Sequence, residues 1–260
     1  MLKRSLYMEE RTCLLAVWSL RLALFALAVI ALAAGLYRAG YVSFEPAVVA
    51  LGLGLVLALC GGVLGVTAFV SIWESGWRGM GKALGAITIA LVVLAGPAAV
   101  LARGVMLPPL TDVSTDPLDP PHFRAMGFAR PRAANPAAYP GSAAAALQRS
   151  AYPFLKPVDL DATPEEAFNA VLALVNKRRW RILDIVPPRG GVRDGQIEAI
   201  ATDPIMGFRS DIVIRVRPTA KGARVDMRST SRYGIHDLGD NAARISHLMA
   251  DLSAERRKKR

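Results

Sequence analysis

Residues 222–245 read GARVDMRSTSRYGIHDLGDNAARI. The first part alternates: Val225 and Met227 fall on one side of an extended chain, and Arg224, Asp226, Arg228, Thr230 and Arg232 on the other. Gly234 and Gly239 end the alternation, and Asp240 is placed to cap a helix. Ala242, Ile245, Leu248, Met249 and Leu252 then recur along one stripe of that helix. A polar strand, a glycine corner and an amphipathic helix in this order predict a sheet whose apolar face is closed by the last helix.

Working back from this stretch, three further strands are expected at 180–186, 196–201 and 210–217, besides the one at 223–231. Gly190-Gly191, Asp194-Gly195 and Lys221-Gly222 supply the turns. In the third of these strands Ile212, Ile214 and Val216 oppose Asp211, Val213, Arg215 and Arg217. Before them, Thr163-Pro164-Glu165-Glu166 carries a Thr cap, a proline at the first helical position and a glutamate that completes a capping box. With a short strand at 156–161, the order β-α-β-β-β-β-α predicts an α+β domain: a half-buried antiparallel sheet covered on one face by two helices.

The chain of 260 residues is 53% apolar, too hydrophobic for a soluble protein of this length, and the excess lies before residue 107. Apolar runs at 14–36, 47–72 and 83–106 each reach the roughly 20 residues needed to cross a bilayer. Lys3, Arg4, Arg11, Arg78 and Lys82 flank one side and Arg38 and Arg103 the other. This asymmetry predicts a cytoplasmic N-terminus and, after three crossings, a domain in the periplasm of a bacterium, anchored in the inner membrane. Arg21, near the start of the first run, is expected to snorkel toward the inner surface. Gly61 and Gly65 permit close helix approach. The expected organisation is a three-helix membrane region over 1–107, a proline-rich linker over 108–155 and the α+β domain with its basic tail over 156–260.

That linker holds an acidic loop, Leu110 to Phe123, in which Asp112, Asp116 and Asp119 precede His122. Several carboxylates on one flexible loop suit a hard cation. The spacing fits no calcium loop, however, and Asp before Ser or Pro is also ordinary turn chemistry. The arginines facing out from the strands likewise admit two readings: a ladder of opposite charges across neighbouring strands, or bidentate capture of phosphate or carboxylate. Recognition predicts that Arg228→Ala leaves the melting midpoint nearly unchanged, and a ladder predicts a loss of stability. No nucleophile elbow, HExxH, P-loop or dinucleotide glycine pattern occurs, and His122, His236 and His247 are scattered.

The net charge of +11 owes five units to Arg256–Arg260, a tail with no aromatic-interleaved groove, so nucleic acid is not an expected partner. The expected partners are membrane lipids and either another envelope protein or an anionic ligand. Candidate binding residues are Arg215, Arg228, Arg232, Asp112, Asp116 and Asp237; no catalytic residue, metal ligand or cofactor is assigned. The leading functional reading is a binding or scaffolding domain. The competing one is a metal-dependent or acid/base envelope enzyme that uses the acidic loop and His122.

The same residues carry a resemblance. Asp112-Val113-Ser114-Thr115-Asp116 with Asp119-Pro120-Pro121, then Trp180, Ile197-Glu198-Ala199, Phe208 with Asp211, Arg224 to Ser229, Ser231-Arg232, Asp237-Leu238-Gly239 and Asn241-Ala242 resemble the DUF1499 family of membrane-associated bacterial and plastid proteins. The likeness runs from about Leu107 to Leu252. It implies no reaction, cofactor or ligand. It does imply that the acidic loop and the corner after residue 231 belong to one domain, so that Asp112 and Asp116 are expected near Arg228 and Arg232. Ser210-Asp211 stands where the family commonly has paired acids.

Overall fold

Three long helices open the chain: α1 (Leu14–Arg38), α2 (Phe44–Ser75) and α3 (Met80–Met106), each long and apolar enough to cross a membrane. They exceed the expected runs by a few residues because helical hydrogen bonding continues into the polar flanks at little cost. The computed structural model describes residues 11–190 and 193–258. Lys3, Arg4, Gly191 and the side chains of the Arg256–Arg260 tail therefore lie outside the described residues.

The chain divides into two units, 1–102 and 103–260. Within the first, glycines on α2 let backbones meet. A Cβ on Gly61 would stand 3.2 Å from the Ser19 carbonyl oxygen of α1, and one on Gly65 would stand 3.1 Å from the Ala83 carbonyl oxygen of α3. Arg21 lies with its guanidinium 5.2 Å from the centre of the Trp18 ring.

The second unit contains β1 (Asp112–Ser114), α4 (Met126–Ala129), α5 (Ser142–Ala151), β2 (Val158–Leu160), α6 (Pro164–Lys177), β3 (Arg181–Val186), β4 (Gly195–Thr202), β5 (Arg209–Thr219), β6 (Gly222–Ser231) and α7 (Asp240–Lys258). Among the described residues these strands form one antiparallel sheet in the order β1-β6-β5-β4-β3, with β2 pairing farther along the same edge of β6. The α6 start is the expected capping box, with Thr163 and Glu166 each accepting from the other's backbone amide.

Ile197, Ile212, Ile214, Val225 and Met227 meet Phe168, Val171 and Leu174 of α6 and Ile245, Leu248 and Leu252 of α7 in one core. This is the predicted helix-covered face. Two features differ from the sequence reading. The stretch 108–155 supplies a strand and two short helices as well as a connection, because Pro117, Pro120 and Pro121 follow Asp112–Ser114 without interrupting it. The second face of the sheet is also buried: Asp211, Val213 and Glu198 are 0% exposed and Arg228 1%. Residues 115–140 lie over that face, held by the charges beneath them.

Candidate functional site

Strand pairing sets the polar side chains of this covered face in rows. Asp112, Thr230, Asp211 and Ile200 are successive partners across β1, β6, β5 and β4; next come Ser114, Arg228, Val213 and Glu198; then Asp226, Arg215 and Gln196; then Arg224 and Arg217. Because side chains two apart share a face, acids and arginines on adjacent rows lie within reach of each other.

At the centre, Arg228 donates to Asp112 through Nε (2.9 Å) and Nη2 (2.6 Å). It also donates to the carbonyls of Ala137 (2.8 Å) and Pro121 (3.3 Å). Its guanidinium carbon lies 4.9 Å from the centre of the Phe123 ring and 5.3 Å from that of Tyr139. Burial pushes the Asp112 carboxyl above the ordinary carboxylate value, and Arg228 pulls it the other way. Burial, followed by the nearby Asp112 charge, pushes the Tyr139 phenol up to about 12.

Beside this pair, Asp211 accepts from Arg232 Nε (2.8 Å) and Arg130 Nε (2.7 Å), so a residue of the covering segment is clamped onto the sheet. Glu198 does the same with the backbone. It accepts from the amides of Arg124, Ala125 and Met126 (the last at 2.7 Å) and from Gln196 Nε2 at 2.8 Å. Of the expected meeting of loop and corner, Asp112 takes Arg228, while Arg232 takes Asp211 and Asp116 stands beside Arg224.

Toward solvent, Asp119 accepts from Arg215 (3.0 Å) and Arg217 (2.7 Å), and the buried Asp226 lies between them, 3.3 and 2.9 Å from the same two arginines. Asp116 stands 3.5 Å from Arg224 and accepts from the amides of Leu118 and Asp119, which shapes the turn. The slight desolvation of Asp119 is outweighed by Arg215 and Arg217, which hold its carboxyl below the ordinary range. A depressed pKa contributes stability that is present above the unfolded value and lost as pH falls through the folded one. Asp119→Asn is thus expected to cost at most about 1 kcal/mol at neutral pH, as solvent screening dictates. Melting of the two proteins against pH should show the difference closing below about pH 4, where the unfolded carboxyl is protonated.

Asp237 serves the fold locally, its two oxygens accepting from the amides of Gly239 and Asn241 at 3.0 Å each. It, rather than the expected Asp240, satisfies the start of α7, because the chain bends through positive φ at Leu238 and Gly239 before the helix begins. His236 accepts from the Leu238 amide at Nδ1 (2.9 Å), which leaves Nε2 to donate to the carbonyls of Leu107 (3.0 Å) and Gly104 (3.2 Å). His236 and Asp237 are thus each engaged with backbone groups. Among the described residues no group of three His, Cys, Asp or Glu side chains is placed to hold a metal ion. Each carboxylate of the acidic loop engages an arginine instead.

Sequence reasoning missed Glu198, Arg130 and Gln148 as organising residues. The signal for Glu198 was an acid enclosed by Ile197, Ala199 and Ile200. Arg130 and Gln148 lie in stretches with no periodicity to place them. Gln148 pairs with both the amide (3.0 Å) and the carbonyl (2.6 Å) of Ser114, so its side chain extends the sheet beyond β1.

The family model described as a protein of unknown function, DUF1499, matches residues 112–252, more than half of the chain, from the first residue of β1 into α7. No curated protein matches. A crystal structure of protein MLL2253 from Mesorhizobium loti shares 11% identity and covers 38% of this chain and 94% of its own, with a TM-score of 0.27.

Proposed function

The chain belongs to the DUF1499 family, and we propose that it is an integral inner-membrane protein that presents its family domain in the periplasm as a binding or scaffolding module. Three apolar helices of spanning length support the membrane part, and the excess of basic residues on the N-terminal side of the spans supports the orientation.

The observation that carries the binding role is the solvent edge of the network. Asp119, with its side chain 53% exposed, occupies the guanidinium groups of Arg215 and Arg217, whose side chains are 12% and 27% exposed. A carboxylate or phosphate from an envelope protein or lipid can replace such a carboxylate with little rearrangement. Of the residues singled out in the sequence, Arg215 and Asp116 belong to this edge, with Arg217 and Arg224 beside them. Arg228, Arg232, Asp112 and Asp237 hold the frame.

Native mass spectrometry of the intact protein released from mild detergent tests this. The wild type is expected to retain an anionic lipid or a protein partner, and Arg217→Ala to lose it while melting within a few degrees of the wild type. Equal retention by both proteins, or none by the wild type, overturns the reading.

A further inference from the structure

The two ends of the sheet differ in chemistry. At one end lie the β5–β6 turn with exposed Lys221 and the β3–β4 turn with exposed Arg189 and Arg193. At the other lie the β4–β5 turn, Asp203 to Phe208, and the corner after β6, where the last rungs are Thr202 with Arg209 and Ser210 with Ser231. That second end exposes large apolar side chains: Ile205 is 77% exposed, Ile235 87% and Phe208 36%.

Local bonding holds these side chains out. The Asp203 carboxylate accepts from the amides of Ile205 (3.1 Å) and Met206 (2.5 Å), the Asp203 amide donates to the Phe208 carbonyl (2.8 Å), and Gly207 turns the chain at φ +81°. Ile235 follows Gly234, whose carbonyl accepts from Asn135 Nδ2 at 2.9 Å, and precedes His236, which is fixed to the Leu107 carbonyl. Ordering apolar groups toward the outside is unfavourable in water alone, which marks the end as a contact surface.

Chain connectivity says what covers it. The Ser231 amide donates to the Thr111 carbonyl (2.8 Å) and the Asp237 amide to the Leu110 carbonyl (2.9 Å), so this is the end at which the chain enters the sheet. Leu107 follows the last residue of α3 directly. The five residues from Leu107 to Thr111 reach at most about 17 Å when extended. The headgroup zone of a bilayer is itself several ångströms deep on each side of the hydrocarbon.

We propose that Ile205, Phe208 and Ile235 form an apolar tip that enters the headgroup region of the membrane crossed by α3, with the exposed Arg209 beside them facing lipid phosphate. This contact fixes the orientation of the domain on the bilayer. It is independent of the ligand edge at Arg215 and Arg217, and of which side of the membrane the domain occupies.

Nitroxide labels on the full chain in phospholipid vesicles provide the test. Cys13 and Cys60 are replaced by alanine, and labels are attached through Ile205→Cys, Ile235→Cys or, as a control, Leu118→Cys. Leu118 is 80% exposed and belongs to the acidic loop. Relaxation by membrane-soluble oxygen should exceed relaxation by a water-soluble nickel complex several-fold at positions 205 and 235, and the order should reverse at 118. Labels at 205 and 235 that behave like the one at 118 overturn the proposal. So do labels there that neither agent reaches, which would mean that protein covers the tip. If a labelled variant does not fold, amide exchange of the unmodified chain serves instead: residues 203–208 and 233–236 should exchange more slowly in vesicles than in an amphipathic polymer without lipid, and equal rates refute the contact.

Discussion

Arg228→Ala is expected to destabilise the second unit by about 3–5 kcal/mol, the usual consequence of leaving one member of a buried ion pair without the other. Asp112 is 2% exposed and loses both donors that Arg228 supplies to its carboxylate, keeping the hydroxyl of Thr230. Pro121 and Ala137 lose the donor that ties the covering segment down, and the rings of Phe123 and Tyr139 lose the cation between them. For a unit of this size the melting midpoint should fall by roughly 10 °C. Of the two outcomes set out from the sequence, the buried pair supports the loss of stability. Replacing both members, with Asp112→Leu and Arg228→Met together, should recover most of the loss, since neither charge is then stranded. A single variant that melts with the wild type would show that the pair is not formed.

Glu198→Ala is expected to act mainly on the covering segment. Three backbone amides at 124–126 lose their acceptor on the sheet, and each buried donor left unsatisfied costs about 1–3 kcal/mol unless water reaches it. Water reaches it by lifting the segment. The loss in global stability should therefore stop at about 3–5 kcal/mol, and cleavage by trypsin after Arg124 and Arg132 should accelerate well before the unit melts. Glu198→Gln, which keeps an acceptor, should lie between. Unchanged trypsin kinetics in Glu198→Ala would remove Glu198 as the anchor.

Much of the fold can be read in the sequence where local chemistry and periodicity agree. The Thr163–Glu166 capping box, the alternation of β5 and β6 and the apolar stripe of α7 each specify an element and its inward face. β1 was not legible, because three residues before a proline-rich run have too few alternations to distinguish a strand from a turn. The cover over the polar face was hidden for a different reason. Alternation reports which side chains share a face, and a charged row under a loop has the same pattern as a charged row in water. Asp211 and Arg228 therefore read as surface residues. The family resemblance brought the acidic loop and the arginine corner into one domain, but only the register shows that Asp112 meets Arg228 and that Arg232 turns to Asp211.

The pairing of β1 with β6 also sets a timetable. Asp112 and Arg228 are 116 positions apart, so the first strand to leave the ribosome has no partner until nearly the whole chain has emerged. Contacts this distant in sequence are among the slowest to form. β1 and the acidic loop must wait with their charges in water while α6 and the β3–β5 meander assemble, and the late arrival of β6 then draws the early segments in at one stroke. Chains ending before Arg228 should accumulate with 103–140 accessible to protease, whatever their helix content.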